Sequence, residues 1–408
     1  MHRRDRNRRN AEVHEWESPF ISPGRRTPIG RFGGSLASVP ATVLGAVVAR
    51  ESLSRAGIRP DRIQETIFGC ARQAGVGPNP GRQISHLAGI PDEVPAFTVN
   101  QACASGLKSI LLAGLSIASE ESTWVLAGGT ESMSRVPYLL TQGRFGYRMG
   151  NSELTDAMYR DGFLCPLCHQ VMGQTAETLA REYRITREEQ DHYAARSQQR
   201  CQKARDQGLF RDEITPVEVT GPKGATLLVD RDEHPRDGVT PGSLATLPPA
   251  FAAGGTVTAG TSSGITDGAA AVLVSGGDRP RDARGPVARL TAWATVGVDP
   301  AKMGIGPVPA IRKVLARSGL DLSAIDLVEI NEAFAVQVLA CQRELGIDSE
   351  RLNPLGGAIA LGHPIGCSGA RIVVTLIHEM ARRNAHYGIA ALCVSGGMGM
   401  AALLELSP

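Results

Sequence analysis

Nowhere in these 408 residues do eighteen apolar residues run together, so no stretch suits a membrane-spanning helix. Aromatic residues make up only 4% of the chain, and lysine stands only at Lys108, Lys203, Lys223, Lys302 and Lys313. The remaining basic charge is arginine, which reads as genome composition rather than function. The formal net charge is +2, so whole-protein charge points to no nucleic-acid or membrane partner. The opening "MHRRDRNRRNAEVHEWESP" is arginine-rich but lacks the apolar core of an export signal. Its acids Asp5, Glu12, Glu15 and Glu17 argue against a mitochondrial presequence. Residues 1–25 are therefore expected to be a disordered extension, or the product of a misplaced start codon, ahead of a nucleic-acid-binding arm. Without export, the eight cysteines are expected to be reduced thiols in the cytoplasm. No Walker loop occurs.

What the chain does have is glycine, 47 residues of it, with an ordinary 42% apolar content. That mix and length suit a tightly packed α/β enzyme of two or three domains. From Pro28 to Met133, helix and strand patterns alternate. "PATVLGAVVARESLSRAG" has Pro40 near its start and Gly57 past its end, as a helix would. From about Ser134 to Gly255 the texture becomes polar, and Thr186 and Glu189 take capping-box spacing there. From "TVTAG" onward the alternation resumes, so the polar middle reads as an excursion from a layered α/β body. The body also repeats itself. "CASGLKSI" (103–110) matches "GCSGARIV" (366–373), and each is followed by an apolar strand and Gly-Gly, "VLAGG" (125–129) and "CVSGG" (393–397). Matching order and spacing predict two duplicated halves whose strand-to-helix turns face one cleft.

Cys103, in "NQACASGLKSI", lies at one such turn. A lone cysteine is usually a small buried hydrophobe. Against that, a helix start favours thiolate over thiol, and Ser105 and Gly106 leave room for a bulky group. Partners lie in the second copy. His363 sits in the glycine-dense "GGAIALGHPIGCSG", Cys393 ends the strand of "AALCVSGGMGM", and Asn331 and Glu332 end that of "DLVEINEAFA". All occupy strand ends beside helix starts, where open α/β sheets place ligands.

These motifs, with "NQACASG" and "GTVTAGTSSGITDGAAA" in the same order, identify the chain as resembling the thiolases from about Arg26 to the C-terminus. The resemblance implies a five-layered α-β-α-β-α body: an N-terminal domain of residues 26–134 and 256–280, an inserted loop domain of 135–255, and a C-terminal domain of 281–408. It implies ping-pong acyl transfer between coenzyme A thioesters. Cys103 would be the nucleophile, His363 its activating base, and Cys393 the acid/base at the acetyl methyl. A thiolate both attacks and leaves well, and carbanion formation beside a thioester needs a nearby base and a donor to the enolate oxygen. His363 and a water held by Asn331 would supply that donor. The backbone N–H groups of Cys103 and Ser395 would hold the tetrahedral intermediate, although Ser395 replaces the family's usual glycine. Ser263 resembles a contact of the pantetheine arm. Met172 and Met303 resemble residues of the acyl pocket, while Val171 stands where acetoacetyl-CoA enzymes often carry histidine. Acetyl-CoA, acetoacetyl-CoA or other 3-ketoacyl-CoA, and CoA are the implied substrates, with no cofactor and no metal. A homo-oligomer, a dimer of dimers, is implied too, with "SRVPYLLTQGRFGYRMG" suited to contacts between dimers.

Other motifs are weaker. "CPLCH" (165–169) matches covalent haem attachment, but an export signal and a haem-enclosing domain are missing. A second ligand pair for zinc is absent. "GGMGMA" leaves too little chain after it for a dinucleotide fold. Two rival functions remain: a decarboxylating condensing enzyme, against which Cys393 speaks, and a non-catalytic acyl-CoA-binding relative, against which the full polar set speaks.

Overall fold

A computed structural model describes residues 18–277, 279–280 and 282–407. The expected extension of residues 1–25 therefore lies largely outside the described residues. Its last part does not: Phe20–Ile21 is a buried strand of the main sheet, so the ordered domain starts earlier than position 26.

The N-terminal half opens with β1 (Phe20–Ile21), β2 (Arg25–Arg26) and β3 (Gly30–Arg31), fragments laid along β13 and interrupted at Pro23 and Pro28. It continues through α1 (Ala41–Ala56), β4 (Glu65–Gly69), α2 (Pro80–Leu87), β5 (Ala96–Val99), α3 (Ser105–Ala118) and β6 (Trp124–Ser132). Then comes the excursion: β7 (Tyr138–Leu139), β8 (Thr155–Asp156), β9 (Leu164–Cys165), β10 (Gln170–Val171), α4 (Met172–Glu182), α5 (Arg187–Asp206), β11 (Val217–Thr220), β12 (Thr226–Val229) and α6 (Pro241–Ala245). β13 (Thr266–Ser275) closes the half. The second half runs β14 (Val287–Gly297), α7 (Pro307–Ser318), β15 (Leu327–Ile330), α8 (Ala335–Leu345), α9 (Ala358–Leu361), α10 (Ile365–Arg383), β16 (Tyr387–Val394) and β17 (Met398–Ser407).

Strand pairing bears out the duplication. In the first half β5 and β6 flank β4 in parallel, β13 pairs antiparallel with β6, and β1 lies outside β13. In the second half β16 lies parallel beside β15, with Leu352 bridging its other side. β17 pairs antiparallel with β16, and β14 lies outside β17. The order is the same, and β1 pairs with β14 to join the halves into one sheet.

Five layers follow from where the apolar faces meet. α3 and α10 share one core with the inner faces of both halves of the sheet, including Leu107, Ile110, Ile372 and Leu376. α1 packs outside the first half with Leu44, Val48 and Phe68, and α7 and α8 pack outside the second with Ile311, Val314 and Val338. α10 is buried continuously from Ile365 to Met380, as the middle layer of a five-layer stack must be. The repeated glycines set its distance from α3. A Cβ on Gly106 would lie 2.7 Å from the Ala370 nitrogen, and one on Gly369 would lie 2.3 Å from the Leu107 nitrogen. The equivalent glycines of the two copies thus let each helix start touch the other's backbone.

The excursion has a simple position in this scheme. In the second half β16 turns directly into β17 through Ser395, Gly396 and Gly397. In the first half, the corresponding connection from β6 to β13 is the whole stretch from Met133 to Ile265. It therefore rises over the same sheet end as the Ser395 turn. α5 carries the expected capping box, with the Glu189 N–H donating to Thr186 Oγ1 at 3.2 Å and the Thr186 N–H to Glu189 Oε2 at 2.7 Å.

Candidate active site

A cavity of about 390 Å³ opens between that roof and the sheet ends. Cys103, His363, Ser395, Ser263, Met172 and Met303 all line it, so six of the sequence-selected residues come together. Cys393 is sealed behind the wall at the end of β16, in the apolar cluster that includes Met303, Ala333 and Phe334 and against which Met172 packs. Asn331, just past β15, is buried beside His363.

Cys103 occupies a tight turn, Ala102–Ala104, between β5 and α3. Ala102 has φ +45°, a left-handed conformation that costs a non-glycine residue about 1–3 kcal/mol. The Asn100 side chain holds it there, its Oδ1 accepting the Ala102 N–H at 3.0 Å. The Ser395 N–H points at the Cys103 sulfur and favours the thiolate, as does the charge of Arg72. Burial outweighs both and pushes the Cys103 thiol up. Cys103 therefore rests as a thiol, contrary to what its helix-start position alone suggests. The α-helix begins only at Ser105, so the dipole is a small opposing effect.

His363 is held by the second copy's serine. Its Nδ1 lies 2.6 Å from Ser368 Oγ, and that hydroxyl donates to the Pro364 carbonyl at 3.0 Å. The hydroxyl has one proton, already given, so it accepts the Nδ1–H and leaves Nε2 as the basic nitrogen. Nε2 faces Asn331 Nδ2 at 3.5 Å. Burial, with the charges of Arg371 and Arg72, lowers the His363 pKa to about 3. The ring is thus neutral at working pH and able to take a proton. Asn331 Oδ1 is buried without a protein partner among the described residues. Burial also holds Cys393 well above the ordinary thiol range, and repulsion from a thiolate at the neighbouring Cys103 would add to it. Two thiols near one another, one beside a neutral base, can divide nucleophilic attack from proton transfer at carbon.

Three contributors escaped sequence reasoning. Ser368 fixes the His363 tautomer, and its match with Ser105 in the repeat was the available signal. Glu131, buried on β6, accepts from the N–H groups of Ala71 (3.1 Å), Arg72 (3.0 Å) and Gly366 (2.8 Å), tying the loop after β4 to the start of α10. Arg72 lines the cavity itself, just past the end of β4, where the strand-end rule would have placed a candidate. Among the described residues no group of three or more His, Cys, Asp or Glu side chains is placed to hold a metal, at "CPLCH" or elsewhere. All eight cysteines are free.

A layered α/β body presenting a cysteine, a neutral histidine and backbone donors to one cavity is the framework of an acyl-transferring enzyme. Models of the thiolase N-terminal domain and the thiolase C-terminal domain match residues 20–278 and 284–406, and the chain belongs to the thiolase family. It is 50% identical over 385 residues to an acetyl-CoA acetyltransferase of Pseudomonas aeruginosa, covering 94% of this chain and 98% of that one. The crystal structure of the Bacillus anthracis acetyl-CoA acetyltransferase superposes with a TM-score of 0.92 at 42% identity, covering 96% and 99%. Human mitochondrial 3-ketoacyl-CoA thiolase in complex with CoA superposes at 0.90 with 39% identity, covering 96% and 99%.

Proposed function

We propose that the protein is an acetyl-CoA acetyltransferase, condensing two acetyl-CoA to acetoacetyl-CoA and catalysing the reverse thiolysis through an acyl-enzyme on Cys103. The observation that carries this reading is the meeting of the Cys103 sulfur, the Ser395 N–H and the neutral His363 at one cavity, with Cys393 behind them. His363 Nε2 takes the Cys103 proton as sulfur attacks the thioester. The N–H groups of Cys103 and Ser395 bind the tetrahedral oxyanion. The intermediate collapses with CoA departing, protonated by Cys393, and the Cys393 thiolate then removes a proton from the methyl of the second acetyl-CoA. The enolate oxygen is held by His363 and a water on Asn331, a role the unpartnered Oδ1 supports. The carbanion attacks the acyl-enzyme, and Cys103 leaves as the thiolate and recovers its proton from His363. Ser263 would touch the pantetheine arm, and no cofactor or metal enters the cycle.

Mass spectrometry after incubation with acetyl-CoA tests the nucleophile. Wild type should carry one acetyl group on Cys103 and Cys103→Ser none; an adduct confined to another residue in wild type overturns the assignment. A second reading, a 3-ketoacyl-CoA thiolase of wider chain length, is favoured by one feature: Val171 presents an apolar surface to the cavity. Met172 and Met303 support the shorter acyl group, since flexible apolar side chains close over it readily. Thiolysis of 3-ketoacyl-CoA with four, six and ten acyl carbons separates the two. A rise in kcat/KM of more than about tenfold from four to ten carbons favours the wider enzyme.

We also propose a cytoplasmic homo-oligomer built as a dimer of dimers. Free cysteines throughout suit a reducing compartment. Leu140, Phe145, Met149 and Leu154 stand exposed on the excursion, an apolar set suited to a second dimer. No helix among the described residues is long and apolar enough to cross a membrane.

A further inference from the structure

Arg72 is a buried cation that meets the charge of Glu131 but forms no ion pair among the described residues. Only 8% of the residue is exposed, and its Nε is sealed from solvent with no hydrogen-bond partner. Among the described residues no carboxylate lies within ion-pair distance of it. Glu131, the acid whose charge it meets, is committed to the three N–H groups named above and to the Cys70 thiol at 3.5 Å. The guanidinium lies along the backbone of Gly162, where a Cβ would come within 2.6 Å of Nη2, so the roof turn Tyr159–Phe163 leaves it space. It faces the cavity shared by Cys103, Met133 and Phe163. Its backbone neighbour Ala71 packs in the small apolar cluster that touches the nucleophile: Met133, Met158 and Ile365, with Cys103 and Phe163 against them. A buried guanidinium with an unpartnered donor is costly unless an acceptor meets it, and an acetyl group offers no anion.

We propose that Arg72 forms an anion subsite at the end of the acyl pocket, and that 3-oxoacyl-CoA chains ending in a carboxylate are substrates of this enzyme. The proposal rests on the thiolase reading and extends its acyl specificity. The guanidinium presents a planar fork that a carboxylate can meet with two parallel hydrogen bonds. The reaction is ordinary thiolysis. Cys103 sulfur, its proton taken by His363, bonds to C3. The C2–C3 bond breaks, and its electron pair leaves with the acetyl-CoA fragment, which gains a proton from Cys393. CoA then gives its thiol proton to Cys393 and takes the ω-carboxyacyl group, while His363 returns the first proton to Cys103. Acetyl-CoA and a carboxyacyl-CoA two carbons shorter are released.

The test compares kcat/KM for 3-oxoadipyl-CoA and 3-oxohexanoyl-CoA, equal in length but ending in carboxylate or methyl, with acetoacetyl-CoA as reference. Wild type should favour the carboxylate by about tenfold or more, Arg72→Leu should reverse that ratio by about 10²-fold, and Arg72→Lys should keep it above one. A wild-type ratio below one, or the same ratio in Arg72→Leu, overturns the subsite. If either occurs while acetoacetyl-CoA is cleaved, the subsite alone falls. If none of the three substrates is cleaved, the thiolase reading falls with it. The wild-type ratio stands as a readout even if the leucine variant folds poorly.

Discussion

Cys103 and His363 form a neutral pair, thiol and imidazole, rather than a standing ion pair. Burial raises the thiol and depresses the imidazole, so both shifts disfavour charge. A thiol held above its ordinary value of about 8.5 keeps its proton as pH rises through that point. Alkylation of Cys103 by iodoacetamide should accordingly still be accelerating at pH 9. A rate already level below pH 7 would show a preformed thiolate and contradict this account. The two cysteines should also separate by step. Cys393→Ala is expected to retain acylation of Cys103 from acetyl-CoA while condensation falls at least ~10²-fold, the size of a typical acid–base contribution. His363→Ala should damage both steps, and equal loss of acylation in the two variants would contradict the division. Cys103, His363 and Cys393 were legible because glycine-dense turns at strand ends have few other uses. Arg72 was not, because its significance lies in what folding withholds from it: the acid within reach of its charge is occupied by backbone.

Among the elements, the crossing of α3 and α10 governs the site most directly, since each helix start carries one member of the proposed catalytic pair. Gly369→Ala would push a methyl into the backbone at Leu107. Such overpacking typically costs about 1–3 kcal/mol. A lower thermal midpoint and reduced acylation are expected together, because the shift separates Cys103 from His363; an unchanged midpoint would mean the contact relaxes freely. The two-thiol turn behaves differently. Cys165 and Cys168 are near neighbours in the roof, but neither lines the cavity. Replacing both with serine should preserve most activity, measured as acetoacetyl-CoA thiolysis, and a loss beyond about tenfold would give them a part in the chemistry. The helices of the layered body were readable from their caps and apolar runs. The short strands of the excursion, two residues each in β7 to β10, were not: two residues carry no alternation to read.

For the whole molecule, the repeat in the sequence told most. Two short matched motifs predicted the duplication, and strand order bears it out in every pairing. Where the first half begins was misjudged, because Phe20–Ile21 is too short and too close to the arginine-rich start to stand out, though it pairs with both β13 and β14. Light scattering at micromolar concentration should show an oligomer, and a monomer there would contradict the role given to the exposed apolar residues of the excursion. The pairing of β1 has a further consequence, for the order in which the chain is made. β1 finds its first partner in β13 and its second in β14, some two hundred and fifty residues downstream. At about 5–20 residues per second, a ribosome needs roughly 10–50 s to cover that interval. Through that time the earliest strand has neither neighbour, and the entire excursion emerges before the sheet it interrupts can close.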